Sequence, residues 1–189
     1  MRAAVALSCA LLPLLAGAVE AQTAPIYVSC SSRFAVIFPA EPKSHSLTYR
    51  APSSPLVPAR QFLVEGATGR FAVTIADFSN GPAVSEQIVE RAAQDLRARG
   101  EVKFQASDRY DPATPGRQLN IIERDGRQLR ASVYMAAHRL FIAEASAAPG
   151  DVGALLFDQS MTLIDAVGRD LNKDVELNSN AGPRVFACR

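Results

Sequence analysis

Few residues in this 189-residue chain are equipped for catalysis. A serine or cysteine hydrolase needs a nucleophile, a base and a group that orients the base, and only His45 and His138 are available as a histidine base. His45 lies in Lys43-Ser44-His45-Ser46, just after the rigid corner Phe38-Pro39-Ala40-Glu41-Pro42. His138 follows Ala137 at what reads as a turn apex, and no Gly-x-Ser-x-Gly occurs. Neither histidine is expected to catalyse. Asp108 and Asp111 flank Tyr110 ahead of Pro112, a pattern that makes turn hydrogen bonds. Asp170, Asp174 and Glu176 lack the spacing and central glycine of a calcium loop. No Gly-Lys-Ser/Thr phosphate loop is present. The expectation is no catalytic constellation, no metal and no cofactor.

Two carboxylates and a group of arginines stand out. Asp77 continues the alternation Phe71, Val73, Ile75 on the apolar face of a strand. Glu144 does the same after Leu140 and Ile142. Such an acid is either satisfied by a backbone amide or an arginine, or lines a pocket at the sheet edge, where it could serve as the acid or base of an atypical hydrolase. The chain carries 17 Arg against 3 Lys. Arg124, Arg127, Arg130 and Arg139, with Arg117, cluster in sequence around two hairpins and suggest a surface for an acidic partner, diluted by Glu123, Asp125 and Glu144. A formal net charge of +1 excludes the cation excess that neutralises nucleic-acid phosphates. The absence of Trp counts against a carbohydrate platform.

Residues 1–21 read as a secretory signal peptide. Arg2 precedes an apolar run broken by Pro13, and Val19 and Ala21 occupy the small-residue positions before Gln22. At about 17 residues the run is short for a membrane span, and no later stretch replaces it. Cleavage removes Arg2, Glu20 and Cys9, which leaves the charge at +1 and the cysteines at two. In an oxidising compartment Cys30 and Cys188 are expected to pair, closing nearly the whole mature chain into one loop. The expected location is periplasmic or secreted, with no stable membrane insertion.

These side chains must be positioned by a succession of strands and two helices. Strands are predicted over Ile26–Val28, Arg33–Phe38, residues 46–50, Arg60–Glu65 and Arg70–Phe78, with a proline-rich loop over 51–58. Val84, Ile88, Val89, Ala92 and Leu96 fall at helical spacing and predict a helix over Ala83–Arg99, stopped by Gly100. A strand over Glu101–Tyr110 and a turn-rich loop over 111–116 follow. Leu119 and Ile121 face Ala131 and Leu129 if Arg124-Asp125-Gly126 forms a three-residue loop, with Gly126 left-handed. A tight turn at Ala137-His138 then returns the chain as Arg139–Ala145. Asp151 is placed to cap a second helix running to about Asp165, and residues 168–189 read as an irregular tail tied down by Cys188. The mature chain, 22–189, reads as one α+β domain with an antiparallel β-sheet, two main helices and a core over about 33–165.

Three motifs carry a resemblance: Phe34-x-Val36-x-Phe38-Pro39-x-x-Pro42, Phe71-x-Val73-x-x-x-Asp77-Phe78-Ser79, and Leu156-Phe157-Asp158-Gln159-Ser160. Across residues 33–165 the chain resembles an uncharacterised family of exported proteobacterial proteins with a Mog1/PsbP-like α/β/α sandwich. The resemblance implies an accessory or binding role in a Gram-negative periplasm and supplies no catalytic residues. The resulting expectation is an exported, non-enzymatic protein that engages an envelope protein or a small ligand through its sheet and loops. An atypical hydrolase using Asp77 or Glu144, or a structural envelope component, is the alternative.

Overall fold

A computed structural model describes residues 25–50, 56–172 and 184–188. The expected signal peptide with Cys9, most of the proline-rich loop, and Asp174 and Glu176 lie outside the described residues. The elements are β1 (Ile26–Ser29), β2 (Phe34–Ile37), β3 (Lys43–Tyr49), β4 (Val57–Gly66), β5 (Gly69–Asp77), α1 (Glu86–Arg97), β6 (Gly100–Asp111), β7 (Thr114–Glu123), β8 (Gln128–Ala136), β9 (Arg139–Ala147), α2 (Val152–Ser160) and β10 (Thr162–Leu163). A seven-stranded sheet has the order β3-β4-β5-β9-β8-β7-β6, and a small sheet the order β1-β2-β10. Every strand pairing is antiparallel. The molecule is therefore α+β, as the succession of strands required.

Strand alternation separates the large sheet into two apolar faces. On the front face Leu119, Ile121, Leu129, Val133, Met135, Leu140 and Ile142 pack under Val89, Ala92, Ala93 and Leu96 of α1. On the back face Phe62, Phe71, Val73, Phe141 and alanines of β9 pack under Phe157 of α2 and under Phe34, Val36 and Leu163 of the small sheet. Burying a large apolar side chain contributes about 1.5–3 kcal/mol, so both coverings are needed to hold a sheet that is apolar on two sides.

The hairpins follow turn chemistry. Ile121 faces Leu129 and Leu119 faces Ala131, and Gly126 sits at φ +85° in the three-residue loop. Ala137 and His138 both take positive φ between Ala136 and Arg139, giving a two-residue turn of the primed type that matches strand twist.

Several boundaries differ from expectation. β3 begins at Lys43 and β4 at Val57, so Val57 and Pro58 of the expected loop are strand, paired with Tyr49 and Thr48. The first helix begins at Glu86, because Ser85 caps it by accepting the Ile88 N–H at 3.3 Å. It ends at Arg97, because Gly100 has already joined β6, where an added Cβ would lie 2.0 Å from the Ile122 carbonyl oxygen. The second helix, capped at Asp151 as expected, ends at Ser160 instead of Asp165. There the Ser160 hydroxyl bonds the Phe157 carbonyl and accepts the Ile37 N–H, and Thr162 and Leu163 leave to pair with β2. Finally, residues 111–116 are not a loop: β6 and β7 meet in a two-residue turn at Pro112-Ala113. Pro115 is tolerated in β7 because pairing to β8 starts only at Gly116.

Cys30 and Cys188 form a disulfide with Cα atoms 5.7 Å apart across 158 residues of sequence. The tail beside it is pinned as well. Phe186 is buried with Ala35 and Ile164, and its N–H bonds the Gly168 carbonyl at 2.8 Å.

Candidate functional site

A cavity of about 650 Å³ lies where the two sheets diverge on the back face. One wall is β1 and the following turn, Pro25 to Ser31. The other is the Phe38–Pro42 corner, in which Pro39 and Pro42 fix the backbone φ. Ser44 of β3 and Arg60 and Phe62 of β4 close its base. The floor is aromatic: the Tyr27 ring centroid lies 5.8 Å from that of Phe38 and 5.7 Å from that of Phe62. Partial burial raises the Tyr27 phenol; the Glu41 carboxylate adds to the rise and the Arg60 guanidinium opposes it. A volume in this range with an apolar floor and a few polar groups is what small-ligand sites present.

A second hollow of about 380 Å³ shares Ser31 and Arg60 with the first and continues to Asp77 and Arg139. These two sequence candidates meet because β5 and β9 are neighbours, with Asp77 directly opposite Arg139. Asp77 Oδ1 accepts the Ser79 backbone N–H at 2.8 Å and also the Ser79 hydroxyl. The Ser79 hydroxyl bond is the largest of the effects that hold its carboxyl below the usual range, with Arg139 and His138 assisting. Arg139 donates to the Ser31 carbonyl at 3.0 Å, tying β9 to the turn after β1.

Glu144 is on the opposite, front face, in an ion-pair network at the end of α1. Arg99 bonds both Glu144 and Glu123, the latter at 2.6 Å. Arg70 lies 4.0 Å from Glu144, and the Ser146 hydroxyl bonds Glu123. Burial, with help from Asp95 and Glu144, pushes the Tyr49 phenol on the same face up to about 12.

The arginines do not form one patch. Arg117 bonds Glu90 of α1 at 2.8 Å on the front face. Arg127 pairs with Asp125 at 2.7 Å within its own turn. Arg124 is exposed at that turn. Arg130 is on the back face beside Asp158, where its charge opposes the burial that raises the Asp158 carboxyl, and Arg139 is at the far end of β9. Successive strand residues point to opposite faces, so neighbours in sequence were separated in space.

His45 is exposed on β3 opposite Gln61, on the face away from the cleft, and His138 Nδ1 lies 3.0 Å from the Gly81 carbonyl oxygen. Asp108 accepts from Tyr134 at 2.7 Å and Gln118 at 3.0 Å, and Tyr110 donates to Asp170 at 2.5 Å. Among the described residues no group of three His, Cys, Asp or Glu could hold a metal ion, and no helix is long and apolar enough to cross a membrane. Tyr27, Glu41 and Arg60 were missed as site residues because each lies on a different segment. The one available signal was the proline-flanked corner that carries Glu41. Comparison with protein-family models and with curated proteins finds no match to this chain.

Proposed function

We propose that the chain is an exported, non-enzymatic binding protein that takes a small ligand in the cleft between β1 and the Phe38–Pro42 corner. The observation that carries this reading is the cleft itself: about 650 Å³, floored by Tyr27, Phe38 and Phe62, with a few polar side chains at its rim. Export is supported by the tripartite character of residues 1–21 and by the Cys30–Cys188 bond, since disulfides persist in oxidising compartments. Placement of α1 on one face of the sheet and α2 on the other supports the Mog1/PsbP-like sandwich and, with it, a binding or accessory role. Asp77 and Glu144, the acids of the hydrolytic alternative, are engaged by Ser79 and Arg99, an arrangement that favours structural duties.

Ligand-observed NMR with a library of small polar and aromatic compounds tests the cleft. Ser44 is exposed at its mouth, so Ser44→Trp fills the mouth without disturbing the core. Binders that lose their signal with Ser44→Trp are expected. A library without binders, or binders indifferent to the plug, would overturn the assignment. Mass analysis of the exported protein should find Gln22 as the first residue.

A further inference from the structure

The residues that line the cleft include one cation and one anion, Arg60 and Glu41, together with Tyr27. Neither forms an ion pair with another described residue. Both side chains are exposed, yet both act on the same phenol, so the two charges share one cavity without neutralising each other by contact. Phe38 and Phe62 line the same cavity, and each is at most 3% exposed. A simple anion drawn to Arg60 would also meet Glu41, and a neutral apolar molecule would leave both charges without a partner. A molecule with an ammonium at one end, a carboxylate at the other and an apolar body matches all three features. Arg60 offers a planar fork suited to a carboxylate. Glu41 and the face of Tyr27 both attract an ammonium.

We propose that the ligand is a short peptide with both termini free and an apolar side chain, its carboxylate on Arg60, its ammonium on Glu41 and its side chain on the aromatic floor. The proposal rests on the cleft being the binding site and names the class of ligand it takes. A cavity of drug-sized volume has room for more than one residue, which favours a di- or tripeptide over a free amino acid.

The test is calorimetric titration of the full mature protein with phenylalanyl-leucine, its N-acetyl derivative, its C-terminal amide, the doubly blocked form and free phenylalanine. The free dipeptide is expected to bind at least tenfold more tightly than either singly blocked form and more tightly than free phenylalanine. Arg60→Met should weaken the free dipeptide tenfold while leaving the amide unchanged. Glu41→Gln should do the same while leaving the N-acetyl form unchanged. Equal affinity for free and doubly blocked dipeptide, or discrimination that survives both variants, would overturn the proposal, as would free phenylalanine binding as tightly as the dipeptide. If library compounds occupy the cleft but none of these peptides binds, the ligand class is wrong and the cleft stands. If nothing binds, both fall.

Discussion

Replacing both Cys30 and Cys188 with serine removes a cross-link spanning 158 residues. In the chain-entropy treatment that loop length corresponds to about 17 cal/mol/K, or about 5 kcal/mol at 25 °C, as an upper figure. Against a usual domain stability of about 5–15 kcal/mol this is a large fraction. Most of the effect should arise in the unfolded chain, because the folded tail keeps other anchors: Phe186 stays packed on Ala35 and Ile164, and the Asp170 N–H still reaches the Arg184 carbonyl at 2.9 Å. The chain has no Trp, so urea unfolding is best followed by far-UV circular dichroism. The double variant should unfold at lower urea with a steeper slope, since an untied unfolded chain exposes more surface. Reductant should bring the wild type to the variant's curve and leave the variant unmoved. A difference below about 1 kcal/mol, or a variant that reductant destabilises further, would refute the loop-entropy reasoning.

Three further outcomes are expected. Gly116→Ala would place a Cβ 2.3 Å from Cδ1 of the buried Tyr134 ring, which its bond to Asp108 holds in place. A loss of about 1–3 kcal/mol in urea unfolding is expected. Arg99→Met leaves Glu123 and Glu144 without their shared partner and should cost about 3 kcal/mol, the low end for such pairs because a third of Arg99 is exposed. Adding Glu144→Gln should recover part of that loss in a double-mutant cycle, and strict additivity would show that the network is not coupled. Burial raises the Asp158 carboxyl above its ordinary 3.8, with Ser132 and Arg130 opposing. The folded state therefore holds this proton more tightly than the unfolded one, and stability falls as pH rises from the unfolded value through the folded one. Asp158→Asn, which keeps an acceptor for Ser132, should gain in melting temperature relative to wild type as pH rises from about 3 to 6. A difference independent of pH would contradict the assigned direction.

Local features were legible in the sequence wherever a short window contained the cause. Apolar alternation and one glycine set the pairing of Leu119 and Ile121 with Ala131 and Leu129, and Asp151 marked the start of α2. The end of α2 was not legible, because Leu163 and Ile164 continue the helical stripe. What stops the helix is the Ser160 hydroxyl meeting the Ile37 N–H, 123 residues away in sequence. The pairing of Cys30 with Cys188 was legible only because cleavage of residues 1–21 would leave two cysteines.

The candidate site divides along the same line. Sequence alone marked Asp77 and Glu144 as acids out of place on apolar faces, and placed both histidines in turns or exposed stretches. Only the strand order β5-β9 could set Asp77 opposite Arg139, and only the helix–sheet packing could bring Arg99 between Glu123 and Glu144. The cleft needed still more. Its walls and base come from β1, the proline corner, β3 and β4, and the separation of two sheets is a property of packed layers, not of any segment. Composition, periodicity and turn chemistry act over a few residues, and therefore determined the elements and their faces. Charge partners and cavities depend on which elements become neighbours, a choice made by the burial of both faces of the large sheet at once.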